Sequence, residues 1–106
     1  MAIQAFTQAD FSEKVSAAPH PVLVEFWAPW CVYCRRLGPV VQKLSENQSL
    51  AFGQVNIDEQ PGLAQQFSVD TIPTFLLFRD GAPGPALIAP DSKAAIDAWL
   101  REQGIE

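Results

Sequence analysis

The sequence is poor in the residues that cross-link small secreted proteins or bind metals: it has two cysteines and one histidine among 106 residues. Two cysteines are too few for a disulfide scaffold, and a zinc site needs four ligands. We therefore expect no structural disulfide framework, no metal held within the chain and no other cofactor. A metal or cluster shared between two chains stays open as an alternative.

Long apolar runs and positive charge are also scarce. No run approaches the about 20 apolar residues of a membrane-spanning helix, and the N-terminus lacks a basic segment followed by an apolar one. Seven Lys and Arg against twelve Asp and Glu give a net charge of -5, which argues against binding to nucleic acids or anionic membranes. We expect a cytoplasmic, monomeric protein with one domain over residues 1–106, and with proteins as its partners.

The most informative motif is a pair of cysteines, Cys31 and Cys34, between a predicted buried strand at 22–27 and an amphipathic helix. Unpaired N–H groups and the positive dipole end at a helix start favour thiolate, the form that attacks disulfides. Residues three apart share a helix face, so the two sulfurs lie within bridging distance. The motif therefore predicts dithiol–disulfide exchange.

Strand and helix patterns alternate along the rest of the chain. Short apolar or β-branched runs predict strands at 2–6, 22–27, 51–57, 75–78 and 86–88, with helices between the first four and after the last. Pro39 lies inside the second helix, where it removes a backbone hydrogen bond, so we expect a kink. Pro83 and Pro85 mark the last strand as an edge. This order predicts a mixed sheet between helices.

The segment from Phe26 to Cys31, followed by Cys34, Pro39 and a distant Ile-Pro-Thr at 72–74, resembles the thioredoxin family over nearly the entire chain. The resemblance implies an α/β thioredoxin fold with a mixed five-stranded central sheet flanked by four helices. It also implies that Cys31 is the exposed nucleophile and Cys34 the buried resolving thiol.

Glu25 is the candidate proton acceptor for Cys34. It is the only charge in a strand predicted to be buried, and burial raises the pKa of a carboxyl group toward the range of a general base. The alternatives are a partly solvated face or pairing with Lys43 or another cation. The family pattern usually has Asp at this position and a buried Lys nearby, and here Gln54 takes the place of that Lys.

Pro73 is expected to form a cis peptide bond opposite the sulfurs, which leaves the backbone of Ile72 free to pair with an extended substrate strand. By resemblance, the Trp27 indole bonds Asp58 and fixes the active-site loop. The other residues expected to contact substrate are Trp30, Val32, Tyr33, Thr71, Ile72 and Ala89, of which Thr71 and Ala89 replace common glycines and narrow the groove.

Val32 and Tyr33 stand where the family usually has Gly-Pro. Without that proline a backbone N–H returns near the Cys31 sulfur, so we expect a reduction potential more positive than that of a typical thioredoxin. Three functions compete. The first is a protein disulfide reductase recycled by a thioredoxin-reductase-type enzyme and acting on disulfide-containing target proteins. The others are a glutathione-linked, glutaredoxin-like oxidoreductase and a binding module that does not use its cysteines.

Overall fold

A computed structural model describes residues 3–105. Strands and helices alternate through most of this part of the chain, with two further strands before the last helix. The strands are β1 (Gln4–Ala5), β2 (Val22–Trp27), β3 (Ala51–Asn56), β4 (Thr74–Arg79), β5 (Ala82–Pro83) and β6 (Leu87–Ile88). The helices are α1 (Phe11–Ala17), α2 (Val32–Arg36), α3 (Gly38–Leu44), α4 (Pro61–Gln66) and α5 (Lys93–Glu102).

One mixed sheet in the order β1-β3-β2-β4-β5 organises these elements, and β6 also pairs with β4. Strands β1, β3 and β2 run parallel, while β4 is antiparallel to β2. In this register Glu25 lies between Gln54 of β3 and Phe75 of β4. The strand that carries Glu25 is therefore central and, as expected from its apolar sequence, buried over residues 22–26.

The two faces of the sheet carry separate apolar clusters. On one face Leu23 packs with side chains of α3 and α5, and on the other Val22 and Val24 pack with α1 and α4. Successive side chains of a strand point to opposite faces. Glu25 therefore points to the same face as Leu23, toward the helices that follow the cysteines.

The fold class is confirmed, and the predicted count of elements changes because one helix is interrupted and one short strand was not predicted. The helix after Cys31 breaks at Leu37, which has ψ 0°, two residues before Pro39. The expected kink is thus a division into α2 and α3. The predicted strand at 86–88 is β6, and β5 is an additional strand that was not predicted and that also pairs with β4.

The predicted first strand at 2–6 is shorter in the structure, where β1 covers Gln4–Ala5, and its residue 2 lies outside the described part of the chain. Among residues 3–105, no helix has both the length and the apolar character needed to cross a membrane.

Candidate functional site

The two cysteines meet at the start of α2, at the end of the central strand. Cys31 is the N-cap residue, and the backbone N–H of Cys34 donates to the Cys31 Sγ at 3.2 Å. Both thiols are free. The sulfur thus takes the place of the side-chain oxygen that usually accepts a hydrogen bond at a helix start. This contact holds the first sulfur over the turn that carries the second.

The expected difference in exposure between the two cysteines is wrong. Cys31 and Cys34 are each 6% exposed, because Cys31 packs beside Ala28 and Ile72 instead of projecting into solvent. The two sulfurs differ in what they face. Cys31 Sγ lies 4.0 Å from the carbonyl oxygen of Ile72, whereas Cys34 lines a cavity together with Glu25.

Pro73 directly follows Ile72, whose carbonyl oxygen lies 4.0 Å from the Cys31 sulfur. The Ile72–Pro73 peptide bond is cis, as expected, and the Pro73 carbonyl accepts a hydrogen bond from the Ala89 N–H at 2.7 Å. Ala89 has φ 48°, a left-handed conformation that is uncommon outside glycine. Exposed Thr71 precedes this segment. The structure therefore brings Thr71, Ile72 and Ala89 to one edge of the cysteine pair.

Glu25 is a buried carboxyl group with a neutral partner. It is 1% exposed, and Gln54 Nε2 donates to its Oε1 at 2.8 Å. Its Oε2 has no hydrogen-bond partner among the described residues. Burial raises the pKa of Glu25 to about 7, against a smaller opposing effect of the Gln54 hydrogen bond. The alternatives of a solvated face or a pair with Lys43 are wrong.

Glu25 and Cys34 line the same cavity, of about 190 Å³, together with Trp27 and Gln54. None of the hydrogen bonds found within residues 3–105 joins the carboxyl group directly to the thiol. A water molecule occupies about 30 Å³ in the liquid, so the cavity has room for water beside the unpartnered oxygen.

Cys34 is held strongly in its protonated form. Burial raises the pKa of the Cys34 thiol to about 12, with further increases from the hydrogen bond to Cys31 and from the charges of Cys31 and Glu25. A hydrogen bond with the backbone of Ala28 acts in the opposite direction. The second sulfur needs both a base and a change in its surroundings before it can act as a nucleophile.

The hydrogen bond expected between Trp27 and Asp58 is wrong. Asp58 Oδ2 accepts from the indole Nε1 of Trp30, at 2.9 Å. Trp27 shares a face with Glu25 and lines the cavity, whereas Asp58 follows β3 on the way to α4, which covers the other face. The loop residue Trp30 can reach that side of the sheet, and the strand residue cannot.

Four large hydrophobic side chains in the described part of the chain are exposed, three of them next to Cys31 in the sequence and one in the edge strand β6, and we call them the rim: Trp30 (63% exposed), Val32 (49%), Tyr33 (62%) and Ile88 (58%). Ile88 was not predicted. It pairs with Thr74 across the sheet edge, and this places it next to Pro73. Its position directly before Ala89 in an edge strand was the signal available in the sequence. Among residues 3–105, no three His, Cys, Asp or Glu side chains are grouped to hold a metal ion.

Comparison with known proteins gives a consistent result. Residues 2–102 match the family model described as Thioredoxin. The chain is 43% identical over 79 residues to thioredoxin 1 of Synechococcus elongatus, covering 73% of this chain and 74% of the relative. It is 36% identical over 92 residues to the bifunctional thioredoxin reductase/thioredoxin of Mycobacterium leprae, covering 85% of this chain and 20% of the relative.

A solved structure from work on the thiol-resolving mechanism of yeast mitochondrial 1-Cys peroxiredoxin through glutathione and thioredoxin systems superposes with a TM-score of 0.85. It is 23% identical in sequence and the match covers 95% of both chains. At this identity the likeness shows the shared fold.

Proposed function

Because the chain belongs to the thioredoxin family of thiol–disulfide oxidoreductases, we propose that Cys31 and Cys34 reduce disulfides of target proteins, with Glu25 as the proton acceptor. The observation that carries this proposal is the pairing of two free thiols at one helix start, with the Cys34 N–H on the Cys31 sulfur. A buried carboxyl group with a pKa of about 7 shares a cavity with the second thiol.

The reaction has two displacement steps. The Cys31 thiolate attacks one sulfur of the target disulfide, so that a mixed disulfide forms, the target S–S bond breaks, and the first target thiolate leaves and takes a proton from solvent. Cys34 then gives its proton to Glu25 and attacks the Cys31 sulfur. The Cys31–Cys34 disulfide forms, the bond between Cys31 and the target breaks, and the second target thiolate leaves and takes a proton from Glu25 or solvent, so that two electrons have passed to the target.

Several groups support these steps without exchanging electrons. The carbonyl of Ile72, which accepts a long contact of 4.0 Å from the Cys31 sulfur, is placed to pair with an extended target strand, as in β-strand addition. The rim supplies apolar contact around the sulfur. We include Trp30, Val32, Tyr33, Thr71, Ile72 and Ala89 as target contacts, with Trp27, Asp58 and Pro39 as structural support.

A reductase must return the oxidised protein to the dithiol, and we propose an enzyme of the thioredoxin-reductase type. The Mycobacterium leprae relative, whose name joins the two activities, supports this partnership. We also propose that the protein works as a monomer in the cytoplasm, where reducing conditions keep such dithiols reduced.

Reduction of a peptide disulfide, with dithiothreitol as the source of electrons, tests the proposal. We expect Cys31→Ser to lose activity and to form no adduct with the peptide. The matched variant Cys34→Ser is expected to lose turnover but to accumulate one mixed disulfide, seen as a single added peptide mass. A Cys31→Ser protein that reduces the peptide at the wild-type rate would contradict the proposal.

The electron source separates this function from the glutathione-linked alternative. We expect NADPH with a thioredoxin reductase to sustain turnover, and glutathione alone to sustain much less. Turnover that is as fast with glutathione alone would favour the glutaredoxin-like function.

A further inference from the structure

Trp30 and Tyr33 are exposed aromatic residues that lie before and after Cys31 in the sequence. Trp30 contacts a negatively charged side chain, and Tyr33 contacts a positively charged one. The Trp30 indole donates to the Asp58 carboxylate at 2.9 Å. The guanidinium carbon of Arg36 lies 5.6 Å from the centre of the Tyr33 ring, within the range of a cation–π contact. The rim is therefore apolar at its centre and carries opposite charges on its two sides.

The positive side is helix α2. It carries Arg35 and Arg36, both exposed, and the sequence has no Asp or Glu between Glu25 and Glu46. We call this the α2 flank. None of the salt bridges found among residues 3–105 involves either arginine. Both cations are therefore available to a docked partner.

The negative side is formed by the segments before and after α4. It carries Asp58, Glu59 and Asp70, all exposed, and the sequence has no Lys or Arg between Lys43 and Arg79. We call this the α4 flank. Its carboxylates, like the arginines opposite, lie outside the salt bridges found in the described residues.

The fold places the two flanks on opposite faces of the sheet. Leu37, which ends α2, packs in the cluster with α3 and α5, whereas Leu63 of α4 packs in the cluster on the other face. Cys31 lies at the end of the central strand between these faces. A segment that crosses the sulfur from one face to the other therefore passes from cations to anions.

We propose that the rim and its two flanks bind disulfide-containing segments whose charges complement those of the flanks. Acidic side chains of the segment lie toward the α2 flank, and basic side chains lie toward the α4 flank. The proposal rests on the proposed function and adds a preferred chain direction to it. Exposed Asp91, two residues after Ala89, is also acidic, so the positive charges of the two flanks and this segment are Arg35 and Arg36 of α2. The partner is an extended peptide with unlike charges on the two sides of its cystine.

Two peptides of identical composition test this inference. In one, two glutamates precede a single cysteine and two lysines follow it, and in the other the order is reversed. The cysteine of each carries a small neutral thiol in disulfide linkage. We expect kcat/KM to differ between the two orders by about fivefold at low ionic strength, the factor produced by one or two exposed ion pairs. The difference should vanish near 1 M salt, where the Debye length is about 3 Å.

Exchanging one charge between the two flanks should weaken the preference. In Arg36→Glu/Asp70→Lys, which keeps the net charge, the α2 flank becomes neutral and the α4 flank keeps a single excess negative charge, so we expect the two peptide orders to be reduced at nearly equal rates. The matched control is Lys43→Glu/Glu46→Lys, which exchanges exposed charges at the end of α3, away from the rim, and should keep the wild-type preference. Equal kcat/KM of the wild type for the two peptide orders would overturn the inference. A preference that Arg36→Glu/Asp70→Lys leaves unchanged would also overturn it.

Two further measurements separate this inference from the proposed function. Hydroxyethyl disulfide is small and uncharged, so a wild-type protein that cannot reduce it lacks the proposed chemistry. The same peptides with S-methylated cysteine cannot react, and their Kd values, followed through the fluorescence of exposed Trp30, report the polarity alone. Equal Kd values for the two peptide orders would overturn the inference. A preference seen only at concentrations where this protein forms a dimer, and lost when the dimer dissociates on dilution, would also overturn it, because a second copy of the chain would then occupy the rim.

Discussion

The buried carboxyl group of Glu25 gives the most direct test of the site, because its substitution should stabilise the fold in a pH-dependent way. Glu25→Gln keeps the size of the side chain and an oxygen that accepts from Gln54 Nε2. It removes the negative charge that burial disfavours. We expect the variant to be more stable than the wild type in neutral and alkaline solution and about equally stable in acid.

The magnitude follows from the pKa of Glu25, which burial raises from an ordinary value of 4.5 to about 7. Below pH 4.5 the group is protonated in both the folded and the unfolded chain and costs nothing. Between pH 4.5 and 7 the unfolded chain ionises first, so stability falls as pH rises, and above pH 7 the full penalty remains. A pKa difference of this size corresponds to about 3 kcal/mol in the free energy of unfolding.

Urea unfolding at pH 4, 6 and 8, with a phosphine reductant that keeps both thiols reduced, measures this difference. We expect Glu25→Gln to gain about 3 kcal/mol over the wild type between pH 4 and pH 8, with an unchanged slope against urea. The control Glu59→Gln removes an exposed carboxylate and should change stability by about 0.5 kcal/mol or less. A difference between Glu25→Gln and wild type that is the same at pH 4 and pH 8 would refute the reasoning.

Three further substitutions test other parts of the structure. Asp58→Ala removes the acceptor of the Trp30 indole and should lower the fluorescence anisotropy of that side chain and cost about 1 kcal/mol of stability, whereas Asp58→Asn keeps an acceptor and should cost less. Gly53→Ala should cost about 1–3 kcal/mol in urea unfolding because its methyl group collides with a core phenylalanine ring, while Gly38→Ala, with open space at its Cβ, should be neutral or stabilising. Tyr33→Pro removes a backbone N–H from the first turn of α2 and should lower the reduction potential by about 10–30 mV in a dithiothreitol titration; an equal or higher potential would contradict this.

Features set by neighbouring residues were predictable from the sequence. The central strand has its predicted bounds, Val22–Trp27, because a continuous apolar run specifies a strand buried on both faces. Thr7 and Asp10 exchange hydrogen bonds before α1, with each backbone N–H donating to the other side chain, and this pattern needs only residues that are close in sequence. The interruption near Pro39 follows from the missing N–H of proline.

Features that depend on distant segments were not predictable in the same way. Asp58 bonds to Trp30 and not to Trp27, and this depends on which face of the sheet each segment lies against. The positions of β3 and α4 in the folded chain determine those faces. The burial of Cys31 depends on Ile72, which is far along the chain. The hydrogen bond between Gln54 and Glu25 depends on the register of two parallel strands. In each case the local sequence is compatible with more than one arrangement, and tertiary packing determines which one forms.

The causes of the raised Cys34 pKa also explain why the two thiols would act in order. Burial is the largest cause and keeps Cys34 protonated, at a pKa of about 12, while Cys31 engages the target. Once Cys31 is part of a mixed disulfide it no longer carries charge, so one further cause disappears just when Cys34 must ionise. Glu25, with a pKa of about 7, is then partly ionised at neutral pH and lines the same cavity. In the proposed reaction the first displacement therefore prepares the second, because it removes one of the causes that raise the pKa of Cys34.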